Sequence, residues 1–135
     1  MNDVLVIDDD IQLAQYVADE VSAWKHRAHV VCTGEAAKTF MKEHASHVSA
    51  AVVDMVLPDM DGLELVQNFK KNYPSVAVIV ITAFGSETSI KTAMESGAND
   101  YLHKPFEPEE LKKVLRQVLQ LQKIEEKVRG ADISR

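Results

Sequence analysis

The 135-residue chain is predicted to fold as a doubly wound α/β domain, with a parallel sheet of five strands and five helices. Two observations carry that expectation. Short runs rich in β-branched residues alternate with amphipathic stretches of helical length, the pattern of repeated βα units. Polar residues also stand where apolar runs stop: Asp8, Asp9 and Asp10 after Val4-Leu5-Val6-Ile7, Asp54 after Ala50-Ala51-Val52-Val53, and Lys104 shortly after Tyr101-Leu102. In a parallel sheet all strand C-termini share one edge, so these side chains converge in a single crevice, where such sheets hold their ligands.

The strands are expected at residues 4–8, 29–32, 51–54, 76–82 and 100–103. Leu13, Val17, Val21 and Trp24 fall on one face of the first helix. Asp10 caps that helix, because a short acceptor side chain satisfies free amides of the first turn and its charge suits the positive end of the dipole. Ala36, Ala37, Phe40 and Met41 make the inner face of the second helix. The third spans residues 63–72, with Leu63, Leu65, Val66 and Phe69 inward, and closes at Tyr73-Pro74 because proline disfavours helix in its predecessor. The fourth is capped by Ser86 and stops at Gly97, which tolerates a left-handed backbone. Connections of this length between parallel strands are right-handed.

Composition sets the outer bounds. With 46% apolar residues the chain makes one domain. Fifteen basic against 21 acidic residues give a net charge of −6, which argues against direct nucleic-acid binding, since phosphate contacts need a basic footprint. The single cysteine, Cys32, excludes an internal disulfide and a cysteine-based zinc site, and its neighbours suggest a buried strand position. There is no apolar stretch of about 20 residues for a membrane span and no secretory leader, so the expected location is cytoplasmic.

The acids call for a partner. Two like charges about 4 Å apart repel by about 4 kcal/mol at an effective dielectric of 20, so carboxylates from adjacent strand ends do not gather without compensation. A magnesium ion supplies it, preferring oxygen ligands and taking one or two carboxylates plus phosphate oxygens. A carboxylate beside it then serves as nucleophile toward a phosphoryl group. Asp59-Met60-Asp61-Gly62 is not an EF-hand, which needs further oxygen ligands at alternate positions, and reads as a turn into the third helix. His26, His29, His44, His47 and His103 show no metal-ligand spacing.

Taken together, these motifs resemble the receiver domain of two-component response regulators. The likeness covers residues 3–120 and rests on the acidic pair after the first strand, Asp54 followed by Val56-Leu57-Pro58-Asp59-Met60-Asp61-Gly62, Thr82-Ala83, and Lys104-Pro105-Phe106, in the family's order and spacing. The resemblance implies a flavodoxin-like fold with strand order 2-1-3-4-5. It implies Asp54 as phosphoacceptor, Asp9 as a direct magnesium ligand, Asp8 as a ligand through water, and the Val56 carbonyl as a further ligand. Lys104 then pairs with phosphoryl oxygens, Thr82 hydrogen-bonds one of them, Tyr101 is the switch aromatic, and the Lys104-Pro105 bond is cis. Val56 and Phe84 occupy positions that govern water access, and their apolar character implies slow loss of the phosphoryl group. The implied donor is a sensor histidine kinase. A receiver-like interaction module that never accepts phosphate is the alternative, opposed by the intact set of Asp8, Asp9, Asp54, Thr82 and Lys104. A flavodoxin-like cofactor binder is disfavoured because no Gly/Ser/Thr-rich phosphate loop follows the first strand.

The last segment has its own logic. Pro108 suits a first helical turn, Glu107, Glu109 and Glu110 favour its positive end, and Leu111, Val114, Val118, Leu121, Ile124 and Val128 recur at spacings of three and four. A helix reaching Arg129 would extend about 33 Å at 1.5 Å per residue, more than one small sheet covers. Residues 121–135 are therefore expected to serve as a dimerisation segment or a linker toward an output domain absent from this chain. The other expected dimer surface is the face of the fourth helix, fifth strand and fifth helix.

Overall fold

The computed structural model describes the backbone of residues 3–83 and 87–133, and side chains through residue 120. Five strands, β1 (Asp3–Ile7), β2 (Arg27–Val31), β3 (Val48–Asp54), β4 (Ala77–Ala83) and β5 (Asp100–Lys104), form one parallel sheet in the order β2-β1-β3-β4-β5. The helices are α1 (Ile11–Ala23), α2 (Gly34–His44), α3 (Gly62–Asn72), α4 (Glu87–Glu95) and α5 (Pro108–Ile133).

The two-residue repeat of the strands sorts their side chains into two cores. Val4 and Val6 of β1, Ala50 and Val52 of β3, and Ile79 and Ile81 of β4 face α1 and α5, where Val17, Val21, Leu111 and Leu115 meet them. Leu5, Ile7, Ala51, Val53, Val78 and Val80 face the other way, against Met41 of α2, Leu65, Val66 and Phe69 of α3, and Ala93 of α4. Covered on both sides, β3 is buried along its whole length, which is why it reads as a continuous apolar run rather than an alternation. The edge strands β2 and β5 are only partly buried.

Most sequence expectations match to within a few residues. Asp10 caps α1, its Oδ1 accepting from the Leu13 amide at 3.2 Å. Gly97 follows α4 with φ +112°, and the Lys104-Pro105 bond is cis. Four details differ. Cys32 lies just beyond β2 and is half-buried, because the strand ends at Val31 and the chain bends toward α2. Ala36 is exposed, since the buried stripe of α2 runs through Gly34, Ala37 and Met41. Trp24 caps the C-terminus of α1, with the Arg116 guanidinium of α5 5.4 Å from its ring centroid, and is not part of the apolar face. The last helix runs beyond Arg129 to Ile133. The Ser86 cap and Phe84 lie outside the described residues, as do the side chains of Leu121, Ile124 and Val128.

Candidate functional site

The C-terminal edge of the sheet gathers the residues singled out from sequence. β1 and β3 are neighbours in register, Ile7 opposite Val53, so Asp8 and Asp54 emerge side by side. β4 and β5 deliver Thr82 and Lys104 to the same edge. Carboxylate oxygens of Asp8, Asp9 and Asp54 all lie within 4.8 Å of one another, with Asp8 and Asp54 buried and Asp9 exposed. Among the described residues this is the one cluster of side chains arranged to hold a metal ion.

Hydrogen bonding fixes the individual carboxylates. Asp54 Oδ1 accepts from the Val56 amide at 2.9 Å, and Asp54 Oδ2 accepts from the Lys104 ammonium at 3.0 Å. Asp8 Oδ1 accepts from the Asp10 amide at 2.9 Å. Asp8 Oδ2 is buried and receives no well-formed hydrogen bond; the Lys104 Nζ, 3.3 Å away, is its ion-pair partner. Thr82 is 2% exposed, and its hydroxyl donates to the Ala83 carbonyl at 3.1 Å. Tyr101 points outward at 39% exposure, its ring edge-on to His103.

Electrostatics follow from this crowding. Burial, and then the neighbouring Asp54 carboxylate, push the Asp8 carboxyl up to about 6, against the Asp10 amide and the Lys104 charge, which favour ionisation. Burial works against the Lys104 ammonium, but the hydrogen bond and charge of Asp54, with the charge of Asp8, outweigh it and hold its proton more tightly than usual. One lysine thus serves two buried acids while a third carboxylate stands alongside. The shortage of positive charge and the Asp8 oxygen without a well-formed hydrogen bond fit an oxygen-seeking divalent cation.

Sequence reading missed one feature here. The loop after Asp54 is closed at its stem by a bridge between Val56 and Asp61 and by the Gly62 amide donating to the Met55 carbonyl at 2.8 Å. Asp61 caps α3, accepting from the Leu63 amide at 3.0 Å. Asp59, read from sequence only as part of a turn, reaches across to α2: its two oxygens accept from the Gly34 and Glu35 amides at 2.9 Å each, and these bonds hold its carboxyl below the usual range. Nothing local in the sequence pairs residues 25 positions apart.

Fold and site therefore define a doubly wound α/β domain with an acidic, cation-fitting crevice across the ends of β1, β3 and β5. The family model for the response regulator receiver domain matches residues 4–116, and the chain belongs to that family. It is a signalling-switch domain of the two-component system. The chain is 37% identical over 111 residues to the heme response regulator HssR of Staphylococcus epidermidis, covering 82% of this chain and 48% of that protein. It is 31% identical over 116 residues to "Probable transcriptional regulator ycf27" of Cyanophora paradoxa, covering 86% of this chain and 47% of that protein. Among solved structures, NtrX from Brucella abortus superposes with a TM-score of 0.86 at 27% identity, covering 96% of this chain and 29% of NtrX. The chain spans about half the length of the curated relatives it matches. Among the described residues no helix is long and apolar enough to cross a membrane.

Proposed function

We propose that the domain accepts a phosphoryl group from a sensor histidine kinase onto Asp54 and relays its presence to the face formed by α4, β5 and α5. The observation that carries this reading is the Lys104 ammonium held 3.0 Å from Asp54 and 3.3 Å from Asp8, in a crevice with more buried negative charge than one lysine offsets. Magnesium is the fitting cation, with Asp8, Asp9, Asp54 and the Val56 carbonyl as the groups that would hold it. When bound it supplies positive charge against the transferring oxygens.

Asp54 provides the nucleophile. One of its carboxylate oxygens forms the new O–P bond as the P–N bond of the donor's phosphohistidine breaks, and the electron pair leaves with the imidazole nitrogen. Lys104, already beside Asp54 Oδ2, transfers its ion pair to a phosphoryl oxygen. The Thr82 hydroxyl, now spent on a carbonyl one residue away, turns to donate to another. Tyr101 then rotates inward from its exposed position, and the α4–β5–α5 face changes shape. Phosphorylation favours that arrangement only through contacts it makes better there; moving a 1:99 population to 99:1 takes about 5.5 kcal/mol. Val56, 72% exposed at the rim, is apolar and offers an attacking water no hydrogen bond from its side chain, in keeping with a long-lived phosphoryl group.

The reading extends to a cytoplasmic setting and to a homodimer through the α4–β5–α5 face or through residues 121–135, which would lead toward a transcriptional output domain. Its test is incubation of the chain with magnesium and acetyl phosphate, with peptide mapping of the product. One phosphoryl group on Asp54, absent without magnesium, is expected. A label elsewhere, or none under any condition, would leave a phosphate-independent interaction module as the better account.

A further inference from the structure

We infer that Asp59 is a positioning residue for the cation site, clamping the loop that carries Val56 onto the N-terminus of α2. This inference rests on the proposed magnesium and phosphoryl chemistry and assigns it a residue on the far side of the loop from the crevice. The first four backbone amides of a helix have no partner within it. In α2 the Ala37 amide makes the first intrahelical bond, to the Thr33 carbonyl at 3.1 Å, and the Ala36 amide is satisfied locally by Thr33 Oγ1 at 3.1 Å. The Gly34 and Glu35 amides instead donate to the two oxygens of Asp59. Met60 closes the contact, packed so tightly over Gly34 that a methyl group there would lie 2.3 Å from its Sδ.

What the clamp holds is the segment between Asp54 and Gly62. Packing does little to fix Val56, which is 72% exposed. Its backbone is held by the bridge to Asp61 and by its amide bond to Asp54 Oδ1. That second bond depends on an oxygen that the proposed chemistry draws toward the cation and the phosphoryl group. Once Asp54 is so engaged, the stem bridge and the clamp at the tip are what keep the Val56 carbonyl in place. Partners standing behind a metal ligand set its affinity by orienting it, and their removal weakens binding by about 10- to 100-fold.

The experiment is a calorimetric magnesium titration of three forms of the chain: the parent, Asp59→Ala and Thr33→Ala. Thr33→Ala removes a cap from the same helix without touching the loop, so it lowers the melting temperature while leaving magnesium affinity within about twofold of the parent. Asp59→Ala is expected to weaken magnesium binding about tenfold, the low end of that range, and to slow labelling by acetyl phosphate at limiting magnesium but not at saturation. Asp59→Asn, which keeps one oxygen toward the α2 amides, falls between and serves if Asp59→Ala does not fold. Affinity unchanged in the Asp59 variants, or lowered equally by Thr33→Ala, overturns the inference. A parent chain that binds no magnesium overturns the proposed function itself, and the clamp with it.

Discussion

The two edges of the sheet handle polar groups in opposite ways. At the edge where strands begin, polar groups in exposed or partly buried positions find bonded partners. Asn99 Oδ1 accepts from the Val78 amide at 2.8 Å and from Lys70 Nζ at 3.3 Å, Lys70 also donates to the Val76 carbonyl at 2.9 Å, and His29 pairs with Asp3 at 2.9 Å. At the edge where strands end, Asp8, Asp9 and Asp54 crowd around one lysine, and a buried oxygen of Asp8 receives no well-formed hydrogen bond. The first edge adds stability; the second gives some up to keep a charged crevice. Stability given up to keep charges crowded together is a signature of functional sites.

Four substitutions sharpen or break that contrast. The largest effect is expected from Asp54→Ala, which should abolish labelling by acetyl phosphate in a mass measurement while the protein stays folded at neutral pH. Gly62→Ala tests whether the crowded edge also carries ordinary packing constraints. A Cβ there would sit 2.4 Å from the Asp54 carbonyl oxygen and 2.5 Å from the Met55 Cα, so backbone must move. A loss of about 1–3 kcal/mol in denaturant unfolding is expected.

Asp8→Asn should move stability the other way. A carboxyl near 6 in the folded state and at 3.8 unfolded binds its proton more tightly when folded, so it weakens the metal-free fold above about pH 6 and ceases to do so below about pH 4. The variant should gain on the order of 1–2 kcal/mol at pH 7.5 without magnesium, converge with the parent near pH 4, and bind magnesium more weakly. Thermal melts across that range check the sign, and a loss at pH 7.5 would contradict the idea of a strained edge. At the opposite edge, Asn99→Ala removes a matched acceptor and should cost about 1–2 kcal/mol with magnesium affinity unchanged, read by unfolding and titration.

The gap between what sequence and structure reveal follows from the range of each interaction. Strand and helix faces depend on neighbours two to four residues apart, so the β1 and β3 runs, the Asp10 cap and the Gly97 stop were legible directly. Their acids were legible as a site because a parallel sheet puts all strand ends on one edge. Cys32 and Trp24 were misplaced because element ends are set by where the next helix docks, and periodicity does not report that.

By itself the sequence determined the doubly wound class, the strand order through its resemblance, and which acids and lysine share a crevice. These follow from alternation and from residue types at run ends, both local properties of the chain. Only the tertiary structure decided that Asp8 Oδ2 is left without a well-formed hydrogen bond, that one ammonium lies between two carboxylates, and that Asp59 satisfies amides of α2 25 and 24 residues away. Those outcomes depend on angles and desolvation between segments far apart in the chain, which no local pattern encodes.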